Sequence, residues 1–128
     1  IDQAFDRAFV AICGNYSEKK AEKYSELAKQ IKGIVQENYH DSSLNSQRIA
    51  DMIQMNNAYL GRMFKNSYGR SINDYINTCR LEESMRLLRQ TDMSVEEIAQ
   101  NVGFSNIKYF YVLFKKLTGI TPATYRAG

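Results

Sequence analysis

The sequence repeats itself once, and that repeat limits the folds open to it. At an offset of 49, Asn45 matches Ser94, Ile49 matches Ile98, Ala50 matches Ala99, Ile53 matches Val102 and Asn56 matches Ser105. Beyond that turn the offset becomes 50. Tyr59-Leu60 then matches Tyr109-Phe110, Phe64-Lys65 matches Phe114-Lys115, Gly69 matches Gly119, Ser71 matches Thr121 and Tyr75 matches Tyr125. The shared pattern is I-A, a turn, then Y-[L/F]-x-x-x-F-K-x-x-x-G-x-[S/T]-x-x-x-Y. A solenoid needs about three or more such units to close its core. Two copies predict a duplicated small unit instead.

Between the copies lies Ser71–Gln90, with no Gly or Pro and many good helix formers. It predicts one long helix, opened by Ser71 with Asp74 three residues on as a capping box. At about 100° per residue, Ile72, Tyr75, Ile76 and Cys79 cluster on one side, and Leu81, Met85 and Leu88 on nearly the opposite side. A helix that buries one face early and the other late serves two cores. The expected architecture is all-α, two packed units joined by a rigid strut.

The remaining elements follow from apolar spacing and punctuation. Phe5, Phe9 and Ile12 predict a helix over residues 1–13, stopped by Gly14-Asn15. Ser17 is the expected N-cap of a helix from Glu18 to Tyr39, with Tyr24, Leu27, Ala28, Ile31, Ile34, Val35 and Tyr39 on one face. Its first half also fits a linker from an upstream sensor or dimerisation module. Asn45 caps a short helix to Ile53 that buries Ile49, Ala50, Met52 and Ile53. After a turn over Gln54 to Asn56, Asn56 caps a helix to Ser67 with Tyr59, Leu60, Met63 and Phe64 inward, ended by Gly69. In the second copy Ser94 and Glu97 form a capping box before Ile98, Ala99 and Val102. Gly103-Phe104-Ser105 turns the chain. A helix from Asn106 to Leu117 carries Tyr109, Phe110, Leu113 and Phe114. Thr121-Pro122 starts a last turn of helix, with Pro where its missing N–H costs nothing. No strand pattern is present.

Composition excludes several classes. An apolar fraction of 44% with 24% charged residues is that of a globular protein, not a disordered one. No apolar run approaches the roughly 18 residues of a membrane span, and no signal-peptide pattern opens the chain. The first residue is Ile1, which reads as a piece of a longer protein. Cys13 and Cys79 are too few for a disulfide framework or zinc site, and fit buried thiols. His40 has no companions at metal-ligand spacing, so no metal or other cofactor is expected. Residues 1–40 hold six basic and six acidic residues. All of the net charge of +3 therefore falls in residues 41–128, which favours an acidic partner there.

Each copy has a short helix, a turn of three or four residues and a second helix, with a small Ala where the two would cross. This is helix-turn-helix geometry, which projects the second helix into a major groove about 12 Å wide. A strut of about 20 residues spans roughly 30 Å, close to the ~34 Å between successive major grooves on one DNA face. A helical bundle that binds only protein is the plainer alternative; the matched repeats and the rod length favour DNA.

From about Ile31 to Arg126 the sequence resembles the DNA-binding domain of the AraC/XylS family of bacterial transcription regulators. The first copy carries Ile49-Ala50, Tyr59-Leu60-x-x-Met63-Phe64-Lys65-x-x-x-Gly69, Tyr75, Arg80-Leu81 and Leu87-Leu88. The second carries Ile98-Ala99-x-x-Val102-Gly103-Phe104-Ser105-x-x-x-Tyr109-Phe110-x-x-x-Phe114-Lys115-Lys116-x-x-Gly119-x-Thr121-Pro122-x-x-Tyr125-Arg126. The resemblance implies a homeodomain-like tandem of two helix-turn-helix subdomains joined by a linker helix. These bind adjacent major grooves of double-stranded DNA and usually activate transcription through RNA polymerase, in the cytoplasm. The expected division is an N-terminal extension over 1–26, a first subdomain over 27–70, the linker helix over 71–90 and a second subdomain over 91–128.

Carried onto this chain, the resemblance places base reading at Asn57, Ala58, Gly61 and Arg62 in the first unit. In the second it falls to Asn106, Ile107, Lys108, Tyr111 and Val112. Arg62 suits guanine, to which Arg bonds bidentately. Phosphates fall to Lys65, Arg70, Lys115 and Lys116, and to the helix starts at Ser71 and Thr121. Arg80, with Glu83 one turn on, reads as a structural ion pair. Three departures stand out. Tyr111 and Val112 replace the family's frequent small polar residue and Arg, so the second unit reads shape, thymine methyls and backbone. Gln54 replaces the usual turn glycine, which predicts a slightly distorted first turn. Nothing before residue 30 resembles an effector-binding jelly roll, so a sensor would lie upstream. A DNA-repair alkyl-transfer enzyme shares such a domain but needs a nucleophilic or metal-held cysteine set, which Cys13 and Cys79 do not form. With no Walker loop, metal motif or catalytic triad, the expected function is a transcription regulator and not an enzyme.

Overall fold

The computed structural model describes residues 18–128, with side chains from Glu26 onward. The helix expected over residues 1–13, the Ser17 cap, Cys13 and the Tyr24 side chain lie outside the described residues. Those described form seven α-helices and no strand: α1 (Glu18–Asn38), α2 (Ser46–Met52), α3 (Asn57–Tyr68), α4 (Ile72–Gln90), α5 (Val95–Val102), α6 (Ile107–Thr118) and α7 (Pro122–Ala127). No helix among them is long and apolar enough to cross a membrane.

Helix boundaries follow from side chains that satisfy the first orphan N–H groups. Asn45 Oδ1 accepts from Arg48 N at 2.9 Å, and Asn56 Oδ1 from Tyr59 N at 3.0 Å. Ser71 Oγ accepts from Asp74 N at 3.0 Å, Ser94 Oγ from Glu97 N at 3.1 Å and Asn106 Oδ1 from Tyr109 N at 3.1 Å. Thr121 Oγ1 accepts from Thr124 N at 3.2 Å. Each cap contributes about 1 kcal/mol. At the other end, Gly69 and Gly119 close α3 and α6 in the left-handed conformation, at φ 74° and 84°, which costs glycine no Cβ strain.

The chain divides into two units. The first takes residues up to Asn38 and Ser43–Asn77; the second takes Tyr39–Ser42 and Thr78–Gly128. The division falls inside α4, which gives its opening residues to the first unit and the remainder to the second. In the first unit α3 packs against α1 and α2. The core is Ala28, Ile31 and Val35 of α1, Ile49 and Ala50 of α2, Leu60, Met63 and Phe64 of α3, and Ile72, Tyr75 and Ile76 of α4, with Leu44. In the second unit Leu81, Met85 and Leu88 of α4 meet Ile98, Ala99 and Val102 of α5, Phe104, and Phe110 and Phe114 of α6. The two apolar sides of α4 are thus each buried in a different core.

The sequence repeat is a repeat of contacts. Phe64 and Tyr75 meet edge-on with centroids 5.9 Å apart, and Phe114 and Tyr125 do the same at 5.7 Å. Each tyrosine also carries a cation over its ring, Lys32 at 5.5 Å for Tyr75 and Arg89 at 4.8 Å for Tyr125. The turns match bond for bond. Gln54 N donates to Asp51 O and Met55 N to Ala50 O; Gly103 N donates to Gln100 O and Phe104 N to Ala99 O. Gln54 reaches this geometry at φ 57°. The first turn is therefore not distorted. It keeps its hydrogen bonds, and a non-glycine residue takes the left-handed strain.

Four side chains depart from expectation. Met52 is 53% exposed, because α2 ends there and buries only Ile49 and Ala50. Tyr59 and Tyr109 are exposed rather than inward. The buried stripes of α3 and α6 are narrow, about one step round the helix from these tyrosines, and the Tyr109 ring meets Phe104 edge-on at 6.2 Å. Arg80 is buried but makes no pair with Glu83. Its Nε donates to Tyr39 O at 2.8 Å and its Nη2 to Asp41 O at 2.9 Å. Burial draws its guanidinium below its ordinary pKa, with Asp41 opposing. Glu83 instead accepts both arms of Arg86, at 2.7 and 2.8 Å.

Arg80 thereby ties the Tyr39–Ser42 segment into the second unit, at its turn. Gly103 sits against this tie at φ 111°; a Cβ there would overlap the Tyr39 carbonyl oxygen and lie 2.7 Å from Arg80 Nε. Of the remaining sequence expectations, Cys79 is only half-buried, and His40 is exposed and stacked on Tyr39 at 3.9 Å.

Candidate nucleic-acid interface

Once Leu60, Met63 and Phe64 face the core, the 3.6-residue period leaves Ala58, Gly61, Arg62 and Lys65 on the outer side of α3. Ala58, Arg62 and Lys65 are exposed and Gly61 is half-buried. A Cβ added at Gly61 would meet nothing within 4 Å, so packing does not require glycine there. In α6 the same logic, set by Phe110 and Phe114, leaves Lys108, Tyr111, Val112 and Lys115 outward, all exposed. Each face is about 10 Å of helix carrying two basic residues at most and no carboxylate of its own.

The helix starts are less open. Asn106 is exposed, but its carbonyl oxygen is spent on capping Tyr109 N. Ile107 is half-buried and packs on the second unit's core, away from the outward face. Asn57 is half-buried at the matching place in α3.

Among the expected phosphate residues, Lys65, Lys115 and Lys116 are exposed in the last turns of α3 and α6. Arg70 is half-buried. Ser71 and Thr121 have their hydroxyls engaged as caps. Thr121 also donates to Thr124 Oγ1 at 2.8 Å. Asp74 places a carboxylate in the first turn of α4, which weakens that helix start as an anion site because the dipole is already met. The first turn of α7 holds no acidic residue.

Sequence spacing missed two contributors because each involves residues on different helices. Glu96, in the first turn of α5, approaches Tyr111 of α6. Burial first, then the Glu96 charge and hydrogen bond, raise the Tyr111 phenol above its ordinary pKa. Arg126 of α7 donates to Leu88 O at 3.0 Å and Thr91 O at 3.1 Å, fastening the last helix to the end of α4.

Two outward second helices, each on a short first helix through a matched turn, define a tandem helix-turn-helix protein. A family model described as a helix-turn-helix domain matches residues 49–128. The chain belongs to this AraC-type helix-turn-helix family of DNA-binding transcription regulators. It is 45% identical over 78 residues to the uncharacterized transcriptional regulatory protein YesN of Bacillus subtilis, a match covering 59% of this chain and 21% of that one. The chain thus spans about a fifth of that relative's length. Two solved structures share the fold at a TM-score of 0.73 each. One is the C-terminal domain of the two-component response regulator yesN from Fusobacterium nucleatum, 36% identical, covering 77% of this chain and 95% of that one. The other is the DNA-binding domain of the global transcriptional factor AdpA in complex with a target DNA, 26% identical, covering 78% and 89%.

Proposed function

We propose that this chain is the DNA-reading part of a longer bacterial transcription activator, and that α3 and α6 enter adjacent major grooves on one face of the duplex. The observation that carries this reading is the duplicated outward face, Ala58, Gly61, Arg62 and Lys65 against Lys108, Tyr111, Val112 and Lys115. Both faces occupy the second helix of their unit, where that motif reads bases. Arg62 reads a guanine through O6 and N7, and Gly61 and Ala58 let the α3 backbone come close to the base edges. Lys65, Lys115, Lys116 and Arg70 hold phosphates, which set register and carry no sequence information.

The first 26 residues lead in from an upstream sensor or dimerisation domain, and RNA polymerase is the partner for activation in the cytoplasm. Support for an upstream switch comes from the Fusobacterium relative, the C-terminal domain of a two-component response regulator.

Selection of bound sequences from a random DNA pool tests the proposal. It should return a site of two half-sites about one helical turn apart, with affinity falling steeply as salt rises. Arg62→Ala should relax the preference at one guanine by about 1–3 kcal/mol. No consensus, or binding indifferent to salt, would refute the proposal; uniform weakening of all sequences would make Arg62 a phosphate contact.

A further inference from the structure

The two outward faces differ in chemistry. By the repeat, Arg62 in the first unit corresponds to Val112 in the second, and Gly61 to Tyr111. Val112 is 65% exposed, the most open large hydrophobic side chain among the described residues. The fold gives it little to bury against, and a β-branched residue on an open helix face slightly disfavours helix. Tyr111 is 37% exposed, with its ring beside that of Phe110 at 5.9 Å. Its hydroxyl faces the Glu96 carboxylate, which leaves the ring, and not the oxygen, as the surface on offer. Lys108 and Lys115 lie on the same face and Lys116 beside it, so the apolar pair is flanked by three cations, with Glu96 held at the Tyr111 hydroxyl, on a face suited to a phosphate-lined groove.

Thymine is the base that presents an apolar group, its C5-methyl, in the major groove. Resting on the DNA-reading proposal above, we infer that the second unit recognises its half-site through thymine methyl groups. Val112 and the ring of Tyr111 contact the methyls, and Lys108 and Lys115 contact the flanking phosphates. The two units therefore use different codes, polar in the first and apolar in the second. The second half-site is expected to be rich in A·T pairs with thymine at fixed positions.

The test replaces each thymine of the selected site, one at a time, by deoxyuridine, which removes only the methyl group. The half-site of the second unit is the one whose preference survives Arg62→Ala. There, one or two replacements should weaken binding by roughly fourfold each, the value of one buried methyl-sized group. Val112→Ala, at an exposed position where Ala is the better helix former, should bind the site but lose the thymine–uracil difference at one position. Tyr111→Phe should keep that difference. Three results would overturn the inference: uracil and thymine equal throughout that half-site, discrimination unchanged in Val112→Ala, or base preference lost in Tyr111→Phe. Failure to recover any preferred site would instead bring down the DNA-reading proposal on which this one stands.

Discussion

Gly61 separates the demands of folding from those of binding. Glycine inside a helix costs roughly 0.5–1 kcal/mol relative to Ala. Here it has no packing reason to be present, since a Cβ would meet no neighbour. Gly61→Ala should therefore raise the unfolding free energy by about 0.5–1 kcal/mol in thermal or denaturant unfolding, while weakening binding of the cognate duplex. Unchanged DNA affinity would mean that α3 does not approach its target closely at this point. Gly103 is the opposite case. Its left-handed φ and its fit against the Tyr39 carbonyl and Arg80 make it a requirement of the fold. The equivalent Gln54 meets only the first of these demands, by adopting φ 57°.

At the scale of elements, the caps and the repeat were legible because they depend on local chemistry. Asn45, Asn56, Ser71, Ser94 and Thr121 cap helices where the spacing placed them, and helix ends fall within about a residue of expectation. What stayed hidden depends on where a neighbouring element ends. Periodicity told which way Met52, Tyr59 and Tyr109 point, but not that the adjoining surface stops short of them. Arg80 was legible as structural, yet its partners are backbone carbonyls, which carry no sequence signature. The outward faces could be read from spacing, whereas the Glu96–Tyr111 approach joins two helices and could not. For α4, whose residues divide between the units after Asn77, a break should act on coupling more than on either core. Asn77→Pro removes one helical hydrogen bond and sets the ring against the Asn73 carbonyl, costing about 3 kcal/mol. It should leave binding to an isolated half-site intact and abolish the gain from having both. Full affinity for the two-part site would deny α4 a spacer role. Ser84, fully buried, is a poorer place for the same break because proline there would also damage the second unit's core.

At the scale of the whole molecule, linking two weak readers raises affinity only when both engage at once. The first unit brings an arginine and an open backbone, and the second an apolar pair within lysines. On the proposed reading neither face would reach specific affinity by itself, because each good contact is worth about 1–3 kcal/mol. The most direct test of two-groove reading is therefore geometric. Insertion of five base pairs between the half-sites turns one half about half a helical turn, to the opposite face of the duplex. A full turn of ten restores the face but doubles the distance. Binding of the wild-type chain to the three duplexes, followed by fluorescence anisotropy at fixed salt, should give high affinity only for the natural spacing. Both inserted duplexes should fall to the affinity of a single half-site. Equal affinity for all three would contradict simultaneous reading of adjacent grooves.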